Sequence, residues 1–230
     1  MPCPRAPLAK PALEGLESGA DVTNPMPRAE EVDEVSPGIL VWQAYDSKSK
    51  ADLFSTALTT HAGIYVVDPI PLASDGLRTL RAQPEAAGIF VTNVNHVRAA
   101  AEFAGALSVP IFAHGELSGT PDFPHATAVR DGEEFSRGLT AIALDGGPAG
   151  EMALHFNNNG GTMILGDALI NFEPHGFGVL PAKYCQNANL LRRALTKLLD
   201  HAFERMLFAH GTPILSGARA QLEQHLARNL

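Results

Sequence analysis

The sequence predicts an α+β fold: a four-layer αβ/βα sandwich in which two mixed β-sheets face each other and helices cover both outer sides. In the first half of the chain, apolar strand segments alternate with short helical patterns, which favours parallel strands joined by right-handed crossovers. In the middle, short apolar segments are separated by Asp-Gly, Gly-Gly and Asn-Gly pairs, which are typical of β-hairpins. A helix, a strand and a final helix complete the chain, and this order fits two mixed sheets better than one doubly wound sheet.

The first half contains the elements of the predicted mixed sheet. Two strands, "GILVWQAY" and "ADLFSTALTT", are joined by the polar turn "DSKSK". The buried strand "GIYVVDPIPL" ends at Asp68 and two prolines, which cannot continue a strand ladder. A short helix "GLRTLRAQ", the apolar strand "AGIFVTN", a helix from about His96 to Leu107 and the strand "VPIFAH" follow.

The second half is predicted to begin with hairpins and to end with helices. "ATAVRDGEEF", "GLTAIALDGG" and "GEMALHFNNNGGTMILGDALI" are predicted to be short strands, and "NNNGG" is a strong hairpin signal. A long helix then carries Leu191, Leu195, Leu198 and Ala202 on one face. The strand "RMLFAHG" and a helix from about Ser216, a favourable N-cap residue, close the chain.

Composition and charge exclude several classes of function. The chain has 230 residues, of which 45% are hydrophobic and 18% charged, and its formal net charge is −8. Without a stripe of Lys and Arg to neutralise phosphates, no nucleic-acid partner is expected. No apolar run approaches the roughly 20 residues that span a bilayer, so no membrane partner is expected. The first residues contain no apolar signal segment and the two cysteines form no disulfide framework, which predicts a cytoplasmic location.

The N-terminal segment differs in composition from the rest of the chain. Residues 1–37 contain seven acidic and three basic residues, so half of the net charge lies in a proline-rich stretch with little periodicity. Such a stretch cannot bury enough apolar surface to offset its ordering entropy. We therefore expect residues 1–37 to form a flexible extension and residues 38–230 to form the domain.

Polar residues end several predicted strands in a fixed order along the chain. They are Asp68, "TNVNH" from residue 92, "GGPAGE" from residue 146, "GD" at 166–167 and "HGTP" from residue 210. This ordered set resembles the motifs of the metallo-β-lactamase superfamily, and the resemblance covers residues 38–230. It implies the αβ/βα sandwich and a hydrolase-like ancestry.

The resemblance also implies that most zinc ligands have been lost. The first metal motif of the family is T-H-x-H-x-D-H, in which two histidines hold one zinc and the Asp/His pair holds a second. On this chain Thr92 matches the first position, and His96 falls on a variable position. Substitutions stand where the family has metal ligands: Asn93, Asn95, Val97, Arg98 and, at the third-motif histidine, Gly147.

Three family positions are retained. The bridging aspartate corresponds to Asp167, the last histidine to His210, and Asp68 is the residue that usually supports the motif loop. Asp167 and His210 alone would hold zinc weakly, because a catalytic zinc normally has three protein ligands. An amide oxygen is a poor zinc ligand, and the fixed charge of an arginine repels a dication. No cofactor is therefore expected, although a single divalent metal is left open.

Ordinary structural roles compete with these interpretations. Asn93 and Asn95 are also suitable loop and N-cap residues, and His96 is expected to be exposed in the first turn of its helix. Asp167 would serve as a turn former, and His210 as a residue leading into the last helix. The retained residues and the substituted positions nevertheless define the predicted pocket: Asp68, Asn93, Asn95, His96, Arg98, Gly147, Asp167 and His210.

Arg98 suggests how the second metal could have been replaced. A guanidinium can stand where a cation was and pair with a carboxylate, so we hypothesise an ion pair between Arg98 and Asp167, with His210 alongside. The alternative is that Arg98 points into solvent.

Three functions follow from these residues. The first is a pseudoenzyme that binds a small molecule or an anion without zinc. The second is an active hydrolase that uses one weakly held metal, or none, with Asp167, His210 and His96 as candidate catalytic residues. The third is a subunit of a larger assembly. The sequence does not determine the oligomeric state.

Overall fold

The computed structural model describes residues 26–172 and 176–229. Its strands are β1 (Asp33–Ser36), β2 (Ile39–Asp46), β3 (Ala51–Thr60), β4 (Gly63–Val67), β5 (Ala86–Val91), β6 (Ile111–His114), β7 (Thr127–Val129), β8 (Glu134–Ser136), β9 (Leu139–Ala143), β10 (Met152–Phe156), β11 (Thr162–Leu165), β12 (Leu169–Phe172), β13 (Gly176–Val179) and β14 (Arg205–Phe208). Its α-helices are α1 (Ser74–Arg81), α2 (Ala100–Leu107), α3 (Ala188–Ala194) and α4 (Ala218–Asn229).

The first sheet contains seven strands in sequence order, from β1 to β7. The strands β1 to β4 pair antiparallel, whereas β4 to β7 pair parallel. Helices α1 and α2 form the crossovers between β4 and β5 and between β5 and β6. The predicted mixed sheet with parallel neighbours is thus confirmed.

The second sheet has five strands in the order β14-β11-β10-β9-β8. The pairs β8–β9, β9–β10 and β10–β11 are antiparallel, and β11–β14 is parallel. The "NNNGG" segment joins β10 to β11, and Asn159, Gly160 and Gly161 adopt the positive φ that such a turn requires. A separate two-stranded sheet, β12–β13, follows.

The helices and the two sheets form four layers, and an apolar core lies between each pair of neighbouring layers. One core joins the helices α1 and α2 to the first sheet, with Leu77 and Phe103 among its buried residues. A second core lies between the two sheets and includes Leu58 and Leu154. A third joins α3 and α4 to the second sheet, with Leu222 at its centre. This layering confirms the predicted αβ/βα sandwich.

The predicted N-terminal extension is partly folded. Ala29 is buried and forms an isolated parallel β-bridge with Leu72. Strand β1 extends the first sheet, because its Asp33 and Glu34 pair with β2. The folded domain therefore begins before residue 38, where the sequence predicts its start. The acidic composition of β1 gave no sign that this segment would form the edge strand of the first sheet. Residues 1–25 of the predicted extension lie outside the described residues.

Two predicted helices have different bounds. The helix expected from His96 begins at Ala100, because a 3₁₀ turn over Val94–His96 and the positive φ of Arg98 (41°) precede it. The long helix stops being α-helical after α3 and continues as a 3₁₀ helix over Leu195–Asp200. No helix in the described part of the chain is long and apolar enough to cross a membrane.

Candidate functional site

The polar residues that follow the strands of both sheets meet at one edge of the sandwich. Asp68 follows β4, the segment from Thr92 to His96 follows β5, Asp167 follows β11 and His210 follows β14. The two sheets are joined here by a backbone hydrogen bond from Phe54 N to Ala209 O, 3.0 Å long. The site is thus built on rigid strand ends from both sheets.

Asp68 fixes the segment after β5. It is buried and adopts a positive φ of 49° directly after β4. Its Oδ1 accepts from Thr92 N (2.9 Å) and its Oδ2 accepts from Thr92 Oγ1 (2.6 Å). These two short bonds hold Thr92, the first residue of the segment, against Asp68.

His96 is buried and not exposed, so the expectation for this residue was wrong. Asn93 Oδ1 caps the 3₁₀ turn by accepting from Asn95 N (2.8 Å), and the turn directs His96 inward. His96 Nδ1 lies 2.9 Å from Asp68 Oδ2, and its Nε2 lies 3.3 Å from Asp167 Oδ1. The sequence predicts an α-helix that begins at His96, which would expose this side chain. The backbone over Val94–His96 is a 3₁₀ turn, and the side chain is buried.

His210 completes a triangle of three atoms with lone pairs. Its Nε2 lies 3.3 Å from His96 Nε2 and 3.5 Å from Asp167 Oδ1. Its Nδ1 lies 3.3 Å from Asp52 O, and an N–H there can donate to this carbonyl. The three residues His96, Asp167 and His210 have ligand atoms within 4.8 Å of one another, which is compatible with one metal ion.

The two oxygens of Asp167 face different halves of the site. Oδ1 faces His96 and His210. Oδ2 accepts from Asn93 Nδ2 and from Asn95 Nδ2, each at 3.1 Å. Asn93 therefore both caps the 3₁₀ turn and donates to the carboxylate, whereas the side chain of Asn95 donates to the carboxylate.

Glu151 belongs to the site and was missed in the sequence. It is buried, and its Oε2 accepts from Asn93 Nδ2 (2.6 Å) while its Oε1 accepts from Ala168 N (2.9 Å). Gly147, the predicted pocket position, lies beside it: a Cβ there would be 2.8 Å from Glu151 Cβ. The available signal was a carboxylate directly before the apolar strand β10.

Arg98 does not form the hypothesised ion pair with Asp167. Its NH1 donates to Phe54 O (2.6 Å) and Asp68 O (3.1 Å), and its NH2 donates to Ala209 O (3.2 Å). NH2 also lies 3.4 Å from His210 Nε2. Arg98 has a positive φ and its guanidinium lies against the carbonyls of Phe54, Asp68 and Ala209, while His96 lies beside Asp167.

The ionisable groups of the cluster shift one another's pKa values. Burial opposes ionisation of Asp68 and Asp167, yet the charge of His96 holds the pKa of each below its usual range. Burial also opposes protonation of His96, but Asp167 and Asp68 outweigh it and raise its pKa to about 9. Burial, with His96 and Arg98 nearby, lowers the pKa of His210 to about 4. Burial and the neighbouring Asp167 raise the pKa of Glu151 to about 8.

The two halves of the site differ in their fit to a metal. On the side of Asp167 Oδ2, the asparagine N–H groups are donors, so they do not fit a cation. On the side of Oδ1, the three potential ligand atoms are 3.3, 3.3 and 3.5 Å apart. Tetrahedral zinc with bonds of about 2.0–2.1 Å separates its ligand atoms by roughly 3.3–3.4 Å. On the Oδ1 side, the described residues are therefore compatible with one ion.

Comparison with known proteins agrees with this fold. The family model of the metallo-beta-lactamase superfamily matches residues 34–228. A metallo-beta-lactamase family protein from Thermus thermophilus is 19% identical with a TM-score of 0.63, over 85% of this chain and 80% of that chain. DIM-1 metallo-beta-lactamase is 12% identical with a TM-score of 0.69, over 89% of this chain and 100% of that chain. ETHE1 from Myxococcus xanthus is 19% identical with a TM-score of 0.60, over 81% of this chain and 82% of that chain. Curated proteins give no match.

Proposed function

Because the chain belongs to the metallo-beta-lactamase superfamily, we propose that it is a hydrolase-type protein that holds one divalent metal through His96, Asp167 and His210. The observation that carries this proposal is the triangle of ligand atoms with edges of 3.3–3.5 Å. Direct hydrogen bonds between such atoms are about 2.7–3.2 Å long, and the Asp68 contacts nearby are that short. Ligand atoms around a common ion adopt this wider spacing, which supports the proposal.

The second nitrogen of each histidine supports the same proposal. Metal-binding histidines usually donate their other N–H to a carboxylate or a backbone carbonyl, which fixes the ring and its tautomer. His96 Nδ1 lies 2.9 Å from the carboxylate of Asp68, and His210 Nδ1 lies 3.3 Å from the carbonyl of Asp52. Both Nε2 atoms are thereby directed to the same point.

Three protein ligands leave a fourth position for a substrate, as in catalytic zinc sites. The side chains of Asp167 and His210 are 11% and 17% exposed, whereas that of His96 is 1% exposed, so a small molecule would approach from the first two. A bound divalent metal would act as a Lewis acid on a carbonyl or phosphoryl oxygen of that molecule. The chain's own groups hold the ligands: Asp68 orients His96, and the asparagine amides orient Asp167.

A metal-free protein that binds a small molecule or an anion is the second candidate. It is favoured by the position of His96 between two carboxylates, with Nδ1 2.9 Å from Asp68 and Nε2 3.3 Å from Asp167. A protonated imidazole there balances charges that would be costly if buried without a partner.

Metal titration distinguishes the two candidates. Untagged protein is stripped with a chelator and titrated with Co²⁺ and Zn²⁺, and bound metal is measured after dialysis. We expect about one equivalent, and a loss of at least tenfold in affinity in His96→Gln. His155→Gln is the matched control, because His155 is also buried but contacts Ala202 O and not the cluster. Two equivalents would contradict the proposal, and no binding would favour the metal-free candidate.

A further inference from the structure

Glu151 controls the half of the site that faces Asp167 Oδ2. Its side chain is buried, and both oxygens act as acceptors, for Ala168 N at 2.9 Å and for Asn93 Nδ2 at 2.6 Å. The backbone donor fixes the carboxyl group, and the carboxyl group in turn fixes the amide. No contact of this kind is implied by the superfamily motifs quoted above.

The Asn93 amide has only one orientation that satisfies its partners. Its Oδ1 accepts from Asn95 N (2.8 Å), and its Nδ2 donates to Glu151 Oε2 (2.6 Å) and Asp167 Oδ2 (3.1 Å). An amide nitrogen carries two hydrogens, so both are used. A rotated amide would lose all three bonds and place its oxygen against two carboxyl groups.

Two glycines make room for this arrangement. A Cβ at Gly147 would lie 2.8 Å from both Cβ and Cγ of Glu151. A Cβ at Gly166 would lie 2.6 Å from Thr92 Oγ1 and 2.8 Å from Glu151 Oε1. A ligand side chain at Gly147 and the observed Glu151 therefore exclude each other. The glutamate occupies space that a third-motif histidine would need.

We propose that Glu151 is a positioning residue that closes this half of the site: it holds the Asn93 amide on Asp167 Oδ2 and leaves only Oδ1 for a metal. The inference rests on the proposed single-metal function and explains why one ion, and not two, fits. With Oδ2 held by N–H donors, the carboxylate cannot bridge two cations with one oxygen on each. Its Oδ1 stays 3.3 Å from His96 Nε2 and 3.5 Å from His210 Nε2.

Glu151→Gln tests this role with little change of size. The glutamine amide group would face either Ala168 N–H or Asn93 Nδ2, both of which are donors, so one bond is lost in either orientation. We expect the side-chain amide NMR signals of Asn93 to shift and to lose exchange protection. We also expect Co²⁺ affinity to fall about 10- to 100-fold, as for other outer ligand-supporting groups. Glu116→Gln is the matched control, because Glu116 Oε2 accepts from Gly150 N (2.9 Å) on the same loop but does not contact Asn93.

The NMR signals separate this inference from the proposed function. If the wild type binds no metal, the single-metal function fails. The side-chain amide signals of Asn93, compared between the wild type and Glu151→Gln without metal, still decide the role of Glu151. Unchanged Asn93 signals in Glu151→Gln would overturn the positioning role. So would a wild-type protein that takes a second equivalent of metal while its Asn93 amide stays hydrogen bonded.

Discussion

At the scale of single residues, His96 occupies the position beside Asp167 that the sequence suggests for Arg98. The resemblance places Arg98 at a metal-ligand position and His96 at a variable one. The structure directs Arg98 to backbone carbonyls and His96 to Asp167, because the backbone leaves the helical region at Arg98. Residue identity pointed to His96 and Arg98 but not to Glu151, and the contacts of all three depend on the local backbone conformation.

Arg98 is expected to contribute strongly to stability through its carbonyl partners. Arg98→Ala would leave the carbonyls of Phe54, Asp68 and Ala209 without this donor. We expect the free energy of unfolding to fall by about 3 kcal/mol, measured by urea denaturation. Arg78→Ala, at an exposed position, should change it by less than about 0.5 kcal/mol. An equally small effect of Arg98→Ala would show that these bonds are not formed in solution.

At the scale of elements, most strands and the "NNNGG" turn were predictable, whereas strand β1 and the role of Glu151 were not. Apolar runs, prolines and Gly-containing turns are local signals, and they located most strands of both sheets. Strand β1 was missed because "DEVS" is acidic and short, and its pairing depends on the distant edge of β2. Glu151 was missed for a similar reason: its partners, Asn93 and Ala168, are far away in sequence.

Deletion of β1 tests its contribution to the first sheet. Removal of residues 1–36 also removes Ala29, which is buried, and Val32 and Val35, which pack against two of the cores. We expect the melting temperature to fall by roughly 5–10 °C, corresponding to a loss of a few kcal/mol. Removal of residues 1–25 alone is predicted to leave it unchanged, because their composition does not support a core. Equal melting temperatures for the two deletions would show that β1 adds nothing to the sheet.

At the scale of the whole molecule, the site joins the two sheets. His96 comes from the first sheet, whereas Asp167 and His210 follow strands of the second. The layer architecture could be predicted because the order of strands and helices specifies which faces are buried. The sequence named His96, Asp167 and His210 together as one alternative. It could not give the distances between them, because the three residues are brought together only by the packing of the sheets.

A metal that binds residues of both sheets should stabilise the entire domain. An ion at one hundred times its dissociation constant adds about 2.7 kcal/mol, provided that the unfolded chain does not bind it. For a domain of this size we expect the melting temperature to rise by roughly 5–10 °C when Zn²⁺ is added to chelator-treated protein. His210→Gln should abolish the rise, because it removes a ligand of the second sheet and leaves His96 and Asp167 in place. A rise of equal size in that variant would mean that zinc stabilises the protein elsewhere, and the single-metal site would then lose its support.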